Sequence, residues 1–366
     1  MRLFDLSKTP DLLTALDGTK ITNSFEWETI RRSEIVQMFT DEVFGKMPGN
    51  PDNLAFEILE TNPGALDGKA IQKTVQVSFD GSYGSWSFPF WMFMPKHDQP
   101  VGALVLIGIG DKSEKLDITR KIKSPSWPVE EIVARGYAAV AFHYEDLAAD
   151  APDCFSRSVH HCFEQQRDTN GWGAIAAWAW GAMRVMDYLQ TEPLINKNRI
   201  GVIGHSRGGK TALLTGMLDE RFKAVFSNNS GCMGASMTRF KGGENVAQLI
   251  DRFPYWFCEN FNKYADKEST MSFDQHMFLA TIAPRFLYVS SATNDEWADP
   301  DAELTSVKLA GEAYRLYYMS GLADSLYPVP DKSYGSARIG YHRRSGEHSL
   351  KISDWMHFID FVDARW

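Results

Sequence analysis

Apolar residues recur along this chain with two periods, and the grammar changes near residue 100. Glu26 to Thr40 carries apolar positions at helical spacing, and Pro48-Gly49-Asn50-Pro51 breaks the pattern. Lys73 to Phe79 alternates at period two, Asp80-Gly81-Ser82 interrupts, and Trp86 to Met94 resumes, which predicts an antiparallel hairpin at one end of a sheet. From Ala103 strand and helix patterns alternate. Ala103 to Ile107 and Tyr137 to Phe142 are continuous apolar runs of the kind buried on both faces, and Val129 to Arg135 between them is helical. Trp172 to Leu189 predicts a helix, Ile200 to Ile203 a strand, Ala224 to Ser227 and Arg285 to Ser290 two more strands, and Trp355 to Val362 a closing helix. Alternation of this kind gives a mostly parallel sheet with right-handed crossovers and helices on both faces, a three-layer α/β sandwich. Residues 1–65 are expected to form an N-terminal extension packed on this core, and residues 66–366 a single catalytic domain. The chain carries no internal repeat and no low-complexity linker.

One strand ends in a turn with a chemical meaning. Ile200 to Ile203 runs into Gly204-His205-Ser206-Arg207-Gly208, a G-x-S-x-G turn, and passes directly into a helix-favouring stretch. Strand, sharp turn and helix in that order make the nucleophile elbow of an α/β-hydrolase fold, with Ser206 as the nucleophile. The serine there sits in a strained backbone conformation, and a Cβ two residues before or after it would strike the neighbouring strand or helix.

Bulk properties narrow the partners. The 366 residues fit one large α/β domain. A net charge of −9 with interspersed signs and no long basic run argues against nucleic acid or an anionic membrane surface. No apolar run approaches the length of a membrane span, and the first residues lack the apolar core of a secretory signal, so the chain as written reads as cytoplasmic. A secreted form trimmed of its signal would read the same. A monomer is expected. Cys154, Cys162, Cys232 and Cys258 form no repeated metal spacing, and although Cys154 and Cys162 flank His160 and His161, scattered reduced thiols are the preferred reading.

An alcohol is a poor nucleophile at neutral pH, so Ser206 needs a base and the base needs an acid to orient it. In this fold the chain order is serine, acid, histidine. His348 lies in a Gly346-Glu347-His348 loop before the last helix, where a base reaches back over the strand ends, whereas His342 falls in a strand and His357 in the helix. The acid belongs on the loop after Arg285 to Ser290. Asp295 comes soonest there, Glu296 and Asp299 are alternatives, and Asp299 and Asp301 flank Pro300 as turn or N-cap residues. Arg207 and Lys210 place two cations in the first turn of the helix after the elbow, where the macrodipole disfavours them, so a role other than helix stability is expected. Lys210 is four residues past Ser206, on nearly the same face. The Arg207 backbone N–H is one oxyanion-hole donor in this fold and its guanidinium adds charge stabilisation, with the second donor expected from Gly108 to Gly110. Of eleven tryptophans, Trp86, Trp91, Trp178, Trp180 and Trp355 are expected in the core or in helix seams, while Trp297, two residues after Asp295, faces the site.

Gly204-His205-Ser206-Arg207-Gly208-Gly209-Lys210 resembles the G-x-S-R-x-G-K elbow of the glucuronoyl esterases, carbohydrate esterase family 15. Ser230 to Cys232, Phe273 to His276, Ile282 to Arg285, Asp295 to Asp299 and Gly346-Glu347-His348 extend the likeness over about residues 100–360. The resemblance implies a serine carboxylesterase that cleaves esters between glucuronate, often 4-O-methylated, on xylan and alcohols of lignin. It implies Ser206 and His348 as nucleophile and base, Arg207 at the oxyanion hole, and Lys210 and Trp297 on the uronate hydroxyls. The substrate is then a carbohydrate ester, and no metal or organic cofactor is needed. Two positions depart from the pattern. Asn229 stands where many members carry the triad glutamate, so the acid role falls to Asp295, the location in bacterial members, and Met277 stands where a substrate-contacting glutamate is usual. An acetyl xylan esterase with the same triad is the alternative reading.

Overall fold

A computed structural model describes residues 2, 4–239 and 242–366. Among these, ten strands form one sheet in the order β1-β2-β3-β5-β4-β6-β7-β8-β10-β9. β1 (Asp52–Ala65), β2 (Ala70–Gly81) and β3 (Gly84–Pro95) form an antiparallel meander that joins β5 (Tyr137–His143) edge to edge. β5, β4 (Val101–Gly108), β6 (Ile195–His205), β7 (Ala224–Asn228), β8 (Phe286–Ala292) and β10 (Ile339–Arg344) run parallel, and the short β9 (Ser333–Gly335) returns antiparallel. This mostly parallel sheet with helices on both faces is the three-layer α/β sandwich expected from the sequence.

The two faces of the sheet sort β4 by residue parity. Ala103, Val105 and Ile107 pack into one core with the helices Ala174–Leu189 and Arg207–Leu218. Leu104 and Leu106 point to the other face, under Val129–Ala134 and Ile352–Asp363. A strand buried on both faces has no use for polar alternation, which is why the parallel strands read as unbroken apolar runs. Trp178, Trp180 and Trp355 are fully buried in these seams.

The N-terminal residues join the same structure. A helical stretch over 24–44, widened by π-turns at Trp27–Arg31 and Thr40–Phe44, buries Trp27, Ile35, Phe39 and Val43, and Phe39 packs on Phe273 and Phe278 with centroids 4.8 Å away in each case. Arg32 donates to the carbonyls of Met217 and Thr281 at 2.9 and 3.0 Å, closing two otherwise open helix ends. Residues 52–65, grouped with the extension on sequence grounds, form β1 and extend the sheet through β2. β1 is mostly exposed, and three register shifts interrupt its pairing.

Candidate active site

Ser206 sits between β6 and the helix Arg207–Leu218 with φ 56° and ψ −124°. That left-handed region is costly for a residue with a Cβ, and its use here turns the hydroxyl out of the sheet edge. The glycines make the turn possible. A Cβ on Gly204 would lie 1.9 Å from the Gly208 carbonyl oxygen, and one on Gly208 would lie 3.2 Å from the Ile107 carbonyl oxygen of β4. The elbow is tied down by the Ser206 N–H, which donates to the Asn228 carbonyl at the end of β7 (2.9 Å).

His348 and Asp295 meet at the ends of β10 and β8. The imidazole Nδ1 donates to Asp295 Oδ2 at 2.6 Å, which leaves Nε2 as the free ring nitrogen of the pair. Asp295 is 3% exposed at its side chain and His348 39%, so the acid is enclosed and the base reachable. Burial pushes the Asp295 carboxyl up, but hydrogen bonds from His348, from Asn229 Nδ2 (2.6 Å) and from the Ala298 N–H (3.2 Å) outweigh it and hold the group below the usual carboxylate range. Two other acids of this loop are engaged elsewhere: Asp299 caps the helix Pro300–Arg315 through the Ala302 N–H, and Asp301 pairs with Arg343 at 2.7 Å, while Glu296 is exposed. The His348 ring packs 4.5 Å from that of His205, next to Ser206 in the chain. Burial lowers His205 to a pKa of about 4, so it stands neutral beside the candidate base, its Nδ1 donating to Asn228 Oδ1 at 2.6 Å. His342 lies fully buried between Asp354 and Tyr288.

Each first-turn cation is matched to a carboxylate that the sequence did not single out. Lys210 is 3% exposed, and its ammonium donates to Glu244 Oε2 (2.9 Å) and the Ser230 carbonyl (2.7 Å). Glu244 Oε1 accepts from Trp297 Nε1 at 3.0 Å, so one carboxylate joins the two residues expected to meet the sugar. Trp297 keeps 41% of its surface exposed, and its ring lies 5.5 Å from the Arg252 guanidinium. Arg207 pairs with Asp150 and lies over the Trp256 ring at 4.9 Å. Met277, by contrast, is fully buried, and the carboxylate that meets Lys210 and Trp297 is Glu244, from a different segment. The signal for Glu244 was the glycine pair before it: a Cβ on Gly243 would fall 2.4 Å from the Trp297 carbonyl oxygen, and the Glu244 N–H donates to that same oxygen at 2.8 Å.

A cavity of 290 Å³ adjoins this constellation, lined by Gly108, Ile109, Gly110, Leu116, Arg207 and His348 among others. It brings the glycine-rich loop after β4 alongside Arg207, where the second oxyanion donor is expected. A larger hollow of 830 Å³ lies between the β1–β2 turn and the 118–123 segment, but no residue of the constellation lines it, so size is no guide here. Among the described residues no three metal-ligating side chains converge, and His160, between Ser158 Oγ (2.7 Å) and the Trp172 carbonyl (2.9 Å), has both ring nitrogens bonded within the protein.

An elbow serine, an imidazole–carboxylate pair and this sheet order define an α/β-hydrolase, and the protein is a carboxylic ester hydrolase. The family model described as glucuronyl esterase, fungi, matches residues 80–317. The chain is 34% identical to carbohydrate esterase MZ0003 from an unknown prokaryotic organism, over 97% of this chain and 88% of that one. It is 28% identical to the 4-O-methyl-glucuronoyl methylesterase of Hypocrea jecorina, over 96% and 69% respectively. The solved glucuronoyl esterase from Solibacter usitatus superimposes with a TM-score of 0.92 at 32% identity, covering 98% of each chain. The chain belongs to the glucuronoyl esterase family, carbohydrate esterase family 15.

Proposed function

We propose that the protein hydrolyses esters of glucuronate or 4-O-methyl-glucuronate on xylan-derived saccharides through Ser206, His348 and Asp295. The observation that carries the reading is the 2.6 Å bond from His348 Nδ1 to the enclosed Asp295 carboxylate, which fixes the tautomer so that Nε2 takes the Ser206 proton. The Ser206 Oγ attacks the ester carbonyl as His348 takes its proton. The backbone N–H of Arg207 and its guanidinium face the resulting oxyanion, with the loop Gly108 to Gly110 as the second donor. Collapse of the tetrahedral adduct breaks the bond to the alcohol, which leaves with the proton from His348. Water, deprotonated by the same imidazole, then attacks the acyl-enzyme and frees the uronic acid. The sequence of steps needs no cofactor.

The substrate assignment is supported by the named activity of the methylesterase relatives and by the Lys210–Glu244–Trp297 cluster, which gathers an ammonium, a carboxylate and a partly exposed indole ring at one place. Ser206→Ala is expected to abolish hydrolysis of methyl and benzyl glucuronate esters while leaving the fold intact. Retained turnover by purified S206A would exclude this nucleophile, and faster turnover of acetylated xylan than of the glucuronate esters would move the substrate to the acetyl class.

A further inference from the structure

Asp150 lies on the loop after β5, with its side chain 4% exposed, and four donors from three separate segments converge on it. Oδ2 accepts from Arg207 Nη1 and from the Tyr144 hydroxyl (3.0 Å); Oδ1 accepts from the Tyr255 hydroxyl (3.0 Å) and Trp256 Nε1 (2.7 Å). A carboxylate offers about four acceptor sites, so this one is saturated and its orientation determined. The same anchor acts on Arg207 twice. It holds one guanidinium nitrogen directly, and it holds the indole on which the guanidinium lies at 4.9 Å, an indole itself stacked on Phe253 at 4.0 Å with planes 5° apart. Arg207 remains 30% exposed and lines the cavity that also contains His348.

We propose that Asp150 is the positioning residue for the Arg207 guanidinium, holding its free N–H groups toward the carbonyl oxygen of the bound ester. The inference rests on the role given to Arg207 under the proposed function. An arginine side chain carries about 2 kcal/mol of rotamer entropy, and untethered it would sweep solvent at the mouth of the site. A donor contributes to an oxyanion hole in proportion to how little it must reorganise when charge develops. Asp150 pre-orders it and, being hydrogen-bonded from every side, is itself unable to turn toward the substrate. The contribution belongs to the transition state, where the oxygen is anionic, and so to kcat rather than KM.

The test is a double-mutant cycle on a benzyl glucuronate ester, with kcat, KM and Tm measured for Asp150→Asn, Arg207→Ala and the pair. Asp150→Asn is expected to lower kcat about 10- to 100-fold, the range for one charge-assisted hydrogen bond, with KM within about twofold. In the R207A background the same change is expected to add less than about twofold, because its target is gone. Asp150→Glu is expected to restore part of the loss. An additive loss in the R207A background, or kcat for D150N within twofold of wild type, overturns the proposal. If R207A itself keeps full kcat, the role given to Arg207 fails, a result separate from either. Should D150N not fold, the cycle is run with Tyr255→Phe, which removes one hydroxyl from Asp150: coupling with R207A upholds the proposal, and its absence overturns it.

Discussion

Asn229 Nδ2 donates to Asp295 Oδ2 at 2.6 Å, the same oxygen that accepts from His348 at 2.6 Å. Asn229 stands where the family resemblance implies a carboxylate in many members, and here its amide donates to Asp295, the acid of the proposed mechanism. Its own backbone is held at φ 47° by a bond from its N–H to the Ser290 carbonyl (2.8 Å), so the amide is aimed rather than free. Asn229→Ala removes one stabilising bond from the carboxylate, and kcat/KM is expected to fall about tenfold at neutral pH. Asn229→Asp brings a like charge to the same distance and should lower it further. Steady-state kinetics on a methyl glucuronate ester check both, and equal rates for all three proteins would remove Asn229 from the site.

Asp295→Asn keeps the shape of the acid but presents an amide to His348, which turns the ring proton to the wrong nitrogen. A loss of about 10³- to 10⁴-fold in kcat is expected, with Tm changed little. Should Glu296 or Asp299 be the acid instead, the loss would follow their substitution and spare D295N.

Glu244→Gln leaves the buried Lys210 ammonium without its counter-charge. Removing one partner of a buried ion pair costs about 3–5 kcal/mol, so thermal stability should drop measurably. KM for a glucuronate ester is expected to rise about tenfold, while hydrolysis of a small aryl acetate, which has no uronate hydroxyls to hold, changes little. Comparison of the two substrates with the same preparation separates a binding role from loss of fold.

Glu303 gives the fold a pH signature. Its carboxyl is fully enclosed under the site, accepting from the Gly231 N–H (3.0 Å) and the Ser291 hydroxyl (2.6 Å), and burial raises its pKa from an ordinary 4.5 to about 8. Between those two values the folded state keeps a proton that the unfolded chain releases. Stability therefore falls as pH rises through that window, with a slope of up to about 1.4 kcal/mol per pH unit, and levels off above the folded pKa. Glu303→Gln should flatten the slope, and urea denaturation from pH 5 to 8.5 reads it directly. An unchanged slope would place the titration elsewhere.

The parallel strands were legible because burial on both faces writes them as unbroken apolar runs, and the elbow because only glycine fits beside Gly208 and β4. Asp295 and His348 were expected to meet because chain order in this fold is fixed by topology, and the structure brings them to 2.6 Å. β1 was missed. Glu57, Glu60, Asn62 and Pro63 give it no strand pattern of its own, and it is a strand because β2 offers an edge. Asp150 and Glu244 were missed for a related reason: each lies in an irregular segment where periodicity carries no information, and each meets its cation only through tertiary structure.

That outer strand has a consequence for how molecules of this enzyme meet. An open sheet border is a template on which another chain can continue the ladder, the first step toward a fibril. The breaks in register between Asp52 and Ala55, Ile58 and Glu60, and Asn62 and Ala65 bend the row of outward amides and carbonyls, Pro63 withholds one amide, and Glu57 and Glu60 set negative charge against a copy of themselves. The border that enlarges the sheet is thus built to refuse an eleventh strand.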